Sequence, residues 1–106
     1  MTPSNEDIHA SLGLFEKDFK LDESYFALSH ELIISYDQAY VMMRTVIEDL
    51  MAKDFTGLLN VLYRIDVSEQ QLKKALVEDN DNPASIITQM IFDRQLQKVK
   101  TRKKYS

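Results

Sequence analysis

The chain has 106 residues, a mass of 12.4 kDa and a net charge of −4 at pH 7. This length suits one domain, and 44% apolar with 28% charged residues is a globular balance that argues against disorder. Two glycines and two prolines are too few for the turns of a sandwich or barrel, and a chain without cysteine has no disulfide or thiolate chemistry.

The charge distribution argues against a membrane span or an export signal. The longest stretch without a charged residue, 82–92, has 11 residues, whereas about 20 are needed to cross a bilayer. Glu6 and Asp7 precede the first basic residue, Lys17, which is the reverse of the order in a secretory signal peptide. We therefore expect a cytoplasmic protein without a membrane partner.

Apolar residues recur at helical spacing along the whole chain. A first short helix is predicted after Ser4, with Asp7 at the third position of its first turn. The second helix is predicted as one long central helix over about 24–53, with Ile34 and Val41 on its polar side. Its apolar arc comprises Tyr25, Leu28, Leu32, Tyr36, Ala39, Met43, Val46, Ile47 and Leu50.

Three further helices follow. The third, about 54–65, is capped by Asp54 or Thr56. Ser68 and Gln71 form a capping box that begins the fourth helix, and Asn82 caps a fifth helix whose first residue is Pro83. The buried face predicted for the third helix comprises Phe55, Leu58, Leu59, Leu62 and Ile65.

These elements predict an all-α fold, a four- or five-helix and mostly antiparallel bundle. Residues 1–100 form one helical domain, and residues 101–106 form a frayed basic C-terminal tail. The predicted core comprises Leu32, Tyr36, Ala39, Met43, Val46, Leu50, Leu58, Leu62, Leu72, Leu76, Ile87 and Ile91.

The fifth helix has two apolar clusters that point in nearly opposite directions. One comprises Ile86, Ile87, Met90 and Ile91, and the other comprises Phe92, Leu96 and Val99. Such a helix is either enclosed within its own bundle or meets another chain on one face, and closed two-fold dimers are the commonest oligomers.

The first functional hypothesis assumes that one face of the fifth helix meets another chain. It is a non-catalytic cytoplasmic protein-interaction or structural subunit, a homodimer or a complex with another protein. Its predicted interface residues are Phe92, Leu96, Val99, Ile34 and Val41.

Charge is segregated along the chain. Residues 1–93 hold all 17 acidic and seven basic residues, whereas residues 94–106 hold six basic and no acidic residues. Pairing of this basic segment with an acidic surface, on the same chain or a second copy, is favoured because the acidic body would repel phosphate. The second functional hypothesis is an RNA- or ribosome-associated factor. Its predicted polyanion-binding residues are Lys98, Lys100, Arg102, Lys103 and Lys104.

Catalytic, cofactor-binding and metal-binding residues are not predicted. Glu6 and His9 match one Glu-x-x-His motif of a di-iron bundle. The second copy is missing, because the position three residues before His30 is Ala27 rather than glutamate. Gly13 and Gly57 are isolated and do not form a phosphate-binding loop. The third hypothesis is a small-molecule carrier or enzyme with a pocket beside Tyr25, Tyr36 and Tyr40.

Overall fold

The computed structural model of the chain describes residues 3–21, 34–78 and 82–105. Over these ranges the chain forms five helices and no strand, which confirms the all-α prediction. The helices are α1 (Asn5–Asp18), α2 (Tyr36–Lys53), α3 (Phe55–Arg64), α4 (Glu69–Glu78) and α5 (Pro83–Tyr105).

Helix α5 is the centre of the bundle, because α1, α2 and α4 all pack against it. Its last turn remains helical to Tyr105, five residues beyond the end predicted for the helical domain at residue 100. Asp7 near the start of α1 pairs with Lys103, and Asp18 at its end accepts a hydrogen bond from Gln95. Helix α1 therefore runs antiparallel to α5.

Helix α2 also runs antiparallel to α5. The Tyr36 ring stacks on Phe92 with 4.5 Å between centroids, and the Tyr40 hydroxyl donates to the Ser85 carbonyl oxygen at 3.2 Å. Helices α1 and α2 consequently run in the same direction, an exception to the mostly antiparallel arrangement. Two parallel helices need a connecting segment that spans the length of one helix. Helix α1 is roughly 21 Å long, and the 17 residues between Asp18 and Tyr36 are enough to span that distance.

Helix α2 begins at Tyr36, so the predicted start near residue 24 is wrong. Ser35 is extended, with φ −72° and ψ 161°. Its hydroxyl accepts from the Gln38 backbone N–H at 3.1 Å, and its own N–H donates to the Gln38 side chain at 2.9 Å. This reciprocal capping box fixes the start of the helix. The predicted residues Tyr25, Leu28 and Leu32 lie outside the described residues.

The other predicted helix starts are confirmed. Each N-cap side chain accepts a hydrogen bond from the backbone N–H three residues later: Ser4 from Asp7, Asp54 from Gly57, and Ser68 from Gln71. Pro83 is the first residue of α5, where its missing N–H costs no hydrogen bond. Within the described residues the predicted core is confirmed as buried or partly buried.

Two helices are followed, two residues after their last residue, by a non-glycine residue with a left-handed backbone conformation. Lys20 has φ 56° and Asp66 has φ 65°. In each case the next N–H bonds a carbonyl five residues back: Leu21 to Glu16 at 2.8 Å, and Val67 to Leu62 at 3.2 Å. These are Schellman-type ends, which favour glycine because a side chain strains this conformation.

Replacing Ser35 with alanine tests the start of α2. We expect Ser35→Ala to lower the free energy of unfolding by about 1 kcal/mol, because it removes the capping box. Urea titration followed by circular dichroism measures this change. Thr45→Ala, on the exposed face of α2, is the control and should change stability by less than about 0.5 kcal/mol. Unaltered stability of Ser35→Ala would mean that this serine does not cap a helix.

Replacing Lys20 with glycine tests the left-handed end of α1. We expect Lys20→Gly to raise the free energy of unfolding by about 0.5–1 kcal/mol, because glycine adopts this conformation without strain. Lys74→Gly, at an exposed position inside α4, is the matched control and should cost about 1 kcal/mol. Loss of stability in both variants would contradict the left-handed backbone conformation of Lys20.

Candidate protein-interaction site

The predicted C-terminal interface lies inside the chain's own core. Phe92, Leu96, Val99 and Ile34 are each at most 8% exposed. The interface prediction is wrong for these four residues. The packing of α1, α2 and α4 around α5 buries the three that lie on α5. Ile34 lies beside α1, where its N–H donates to the Asn5 side chain at 2.9 Å. Of the predicted set, Val41 alone is exposed, at 59%.

The outer face of α3 carries a different apolar surface, which we call the α3 stripe. It consists of Phe55, Leu59 and Tyr63, which are 49%, 45% and 86% exposed. Their spacing of four residues places them along one side of the helix. The prediction that Phe55 and Leu59 are buried is wrong, because α3 packs mainly against α2 and needs only a narrow inner face.

A one-residue corner sets the direction of the α3 stripe. The Asp54 N–H donates to the Leu50 carbonyl oxygen at 2.7 Å and ends α2, and the Asp54 carboxylate accepts from the Gly57 N–H at 3.0 Å and begins α3. A Cβ atom at Gly57 would lie 2.7 Å from the Asp54 Cγ, so glycine leaves room for this cap. The corner turns Leu58 and Leu62 inward and leaves the stripe outside.

An apolar groove of about 280 Å³ lies beside the stripe, between α3 and α4. Its lining comprises Leu59, Asn60, Leu62, Tyr63, Val67, Glu69 and Leu72. The buried side chains of Leu62 and Leu72 contribute to its apolar part, and Asn60 and Glu69 supply exposed polar groups. We refer to this feature as the α3–α4 groove.

Charged residues lie at the two ends of the stripe. Asp54 precedes the first helical residue and Arg64 is the last one, and the residues between them carry no charge. The Arg64 guanidinium donates to the Asp18 carbonyl oxygen at 2.6 Å, which ties the end of α3 to the end of α1. The stripe is therefore an uncharged apolar surface with an acid at one end and a base at the other.

The basic segment of α5 lies along acidic residues of α1. The Lys98 ammonium is 3.9 Å from an Asp18 carboxylate oxygen, and Lys103 pairs with Asp7. This hydrogen-bonded pair lowers the pKa of Asp7 from its ordinary value of 3.8 and raises the pKa of Lys103 from 10.5. Lys98 and Lys103, two of the predicted polyanion-binding residues, thus face carboxylates of α1. Lys100 and Arg102 are exposed.

The tyrosines named in the third hypothesis serve helix packing. The Tyr36 hydroxyl accepts from the Gln89 side chain at 2.5 Å, and the Tyr40 hydroxyl bonds the backbone of α5. Tyr36 borders an open groove of about 360 Å³ rather than an enclosed pocket. Tyr25 lies outside the described residues.

The described residues contain no cluster of three metal-ligating side chains. None of the helices found there is both long and apolar enough to cross a membrane. Comparison of the chain with protein-family models, with curated proteins and with solved structures finds no match.

The pair between α1 and α5 predicts a pH-dependent contribution to stability. A lowered Asp7 pKa stabilises the fold above pH 3.8, and this contribution is lost as pH falls through the lowered value. A raised Lys103 pKa stabilises the fold below pH 10.5, and this contribution is lost as pH rises through the raised value. Between these limits the melting temperature of the native protein should be higher than that of Lys103→Met. The difference should disappear at both pH extremes.

Thermal melts between about pH 3 and pH 11 measure this difference. Lys100→Met is the control, because it removes an exposed cation from the same helix. A melting difference for Lys103→Met that stays constant with pH would contradict the pair.

Proposed function

We propose that the chain is a cytoplasmic, non-catalytic protein-interaction or structural subunit that self-associates through the α3 stripe. The observation that supports this proposal is the exposure of Phe55, Leu59 and Tyr63 along one uncharged side of a short helix. Clustered exposed aromatic and aliphatic side chains of this kind are typical of protein contact surfaces.

The size of the stripe favours a weak association. An aromatic side chain presents about 150–250 Å², so the exposed parts of the three residues amount to roughly 300–400 Å². A standard stable interface buries about 800 Å² on each partner. Even with the α3–α4 groove included, the contact is at the small end of specific interfaces, and we expect a dimer with a dissociation constant in the micromolar range or weaker.

Charge placement favours a second copy as the partner. A face without charge meets no like-charge repulsion when it packs against itself, although the chain as a whole carries −4. A two-fold arrangement places the α3 stripes of the two chains against each other. A closed dimer of this type uses the same patch on both subunits.

Polyanion binding through the basic segment stays the alternative. Lys98 and Lys103 would have to exchange their carboxylate partners for phosphate, while Lys100, Arg102 and Lys104 lie at the exposed end of α5. Salt separates the two functions, since phosphate contacts weaken steeply with salt and an apolar dimer changes little.

Leu59→Asp tests the proposed function. Sedimentation equilibrium over about 10 µM to 1 mM should show a reversible dimer for the native chain, and Leu59→Asp should raise its dissociation constant at least about tenfold, because it buries a charge at the contact. Val41→Asp is the matched control, since it places the same charge at an exposed apolar residue of α2. It should leave the dimer unchanged.

Two results would contradict the proposal. One is a native chain that remains monomeric up to about 1 mM. The other is a dimer that tolerates Leu59→Asp but is lost in Val41→Asp, which would place the contact on α2. Circular dichroism of both variants verifies that each is folded.

A further inference from the structure

We infer that the α3–α4 groove is a receptor for the Tyr63 side chain of a second copy, so that the two chains exchange tyrosines across a two-fold axis. This inference rests on the proposed function and names the residue that enters the groove.

Tyr63 has the properties of an anchor side chain. It is 86% exposed, the most exposed large apolar residue among those described, and it extends from the C-terminal end of α3. Tyrosine combines a large rigid ring with a polar tip, and it is enriched among the residues that dominate binding energy at interfaces.

The groove matches a phenol in size and chemistry. Its volume is about 280 Å³, and an apolar cavity of about 150 Å³ is known to hold benzene. Leu62, Val67 and Leu72 offer apolar contact for a ring. Asn60 and Glu69 supply polar groups for the hydroxyl, and the Glu69 carboxylate accepts a strong hydrogen bond from a phenol.

The positions of anchor and groove also fit two-fold symmetry. Tyr63 itself lines the groove, so donor side chain and receptor are adjacent on one patch. In a two-fold contact every pairing occurs twice, and an adjacent anchor and groove let both insertions form near one axis.

Substitutions of Tyr63 and Glu69 test the insertion. In sedimentation equilibrium we expect Tyr63→Ala to raise the dimer dissociation constant at least about tenfold, and Tyr63→Phe about threefold to tenfold, because the phenyl ring still fits but the hydroxyl is gone. Glu69→Gln should resemble Tyr63→Phe, and the double variant should be little weaker than either alone.

A control is needed because Glu69 also pairs with Lys73 at 3.1 Å. Lys73→Met removes that pair but keeps the carboxylate, and it should leave dimerisation unchanged. Hydroxyl-radical footprinting provides a second measurement: protection of Tyr63 should rise with protein concentration, whereas the exposed Val77 on α4 should show no change.

The outcomes separate this inference from the proposed function. A dimer that is lost in Leu59→Asp but unaffected in Tyr63→Ala overturns the insertion and leaves the α3 contact standing. A native chain that is monomeric throughout overturns both. Additive effects of Tyr63→Phe and Glu69→Gln overturn the hydroxyl–carboxylate contact.

Discussion

Enclosure of α5 is the constraint on which the rest of the fold depends. Ile91 and Phe92 are adjacent in sequence, project from different sides of the helix, and are both fully buried. A helix with apolar residues on both sides must be covered on both sides, since leaving either in water forfeits about 1.5–3 kcal/mol per large side chain. This requirement gathers α1, α2 and α4 around α5 and makes α1 and α2 parallel neighbours.

One buried amide sets how α1 aligns with α5, whereas the buried hydroxyls bond within their own helices. Ser11 and Thr88 are fully buried, and each hydroxyl donates to the carbonyl oxygen four residues earlier, at 2.7 Å. Gln95 is also fully buried, and its amide N–H donates to Asp18 at 2.8 Å, beside Lys98. A shift of α1 along α5 would strand this amide in the core, where an unpaired polar group costs about 1–3 kcal/mol. The contact therefore specifies register as well as adding stability.

Local signals were predictable from the sequence, and long-range coverage was not. Ser68 and Gln71 predict a helix start that is confirmed. Ser35 and Gln38 have the same Ser-x-x-Gln spacing, but the apolar arc predicted for the second helix continues across them and hides this signal. The helical spacing of the apolar residues also distinguishes the two apolar faces of α5, but it does not indicate which helices cover Phe92. That depends on α1 and α2, which are distant in sequence and contact it only after folding.

The same coverage explains why α3 keeps an exposed apolar side. A chain of this length buries only about 65% of its surface, so part of its apolar surface stays exposed. With α1, α2 and α4 committed to α5, helix α3 has α2 as its main neighbour, and its inner residues Leu58 and Leu62 satisfy that contact. Phe55, Leu59 and Tyr63 lie on the other side of α3 and stay exposed. The proposed self-association would cover these residues without altering the packing of α1, α2 and α4 around α5.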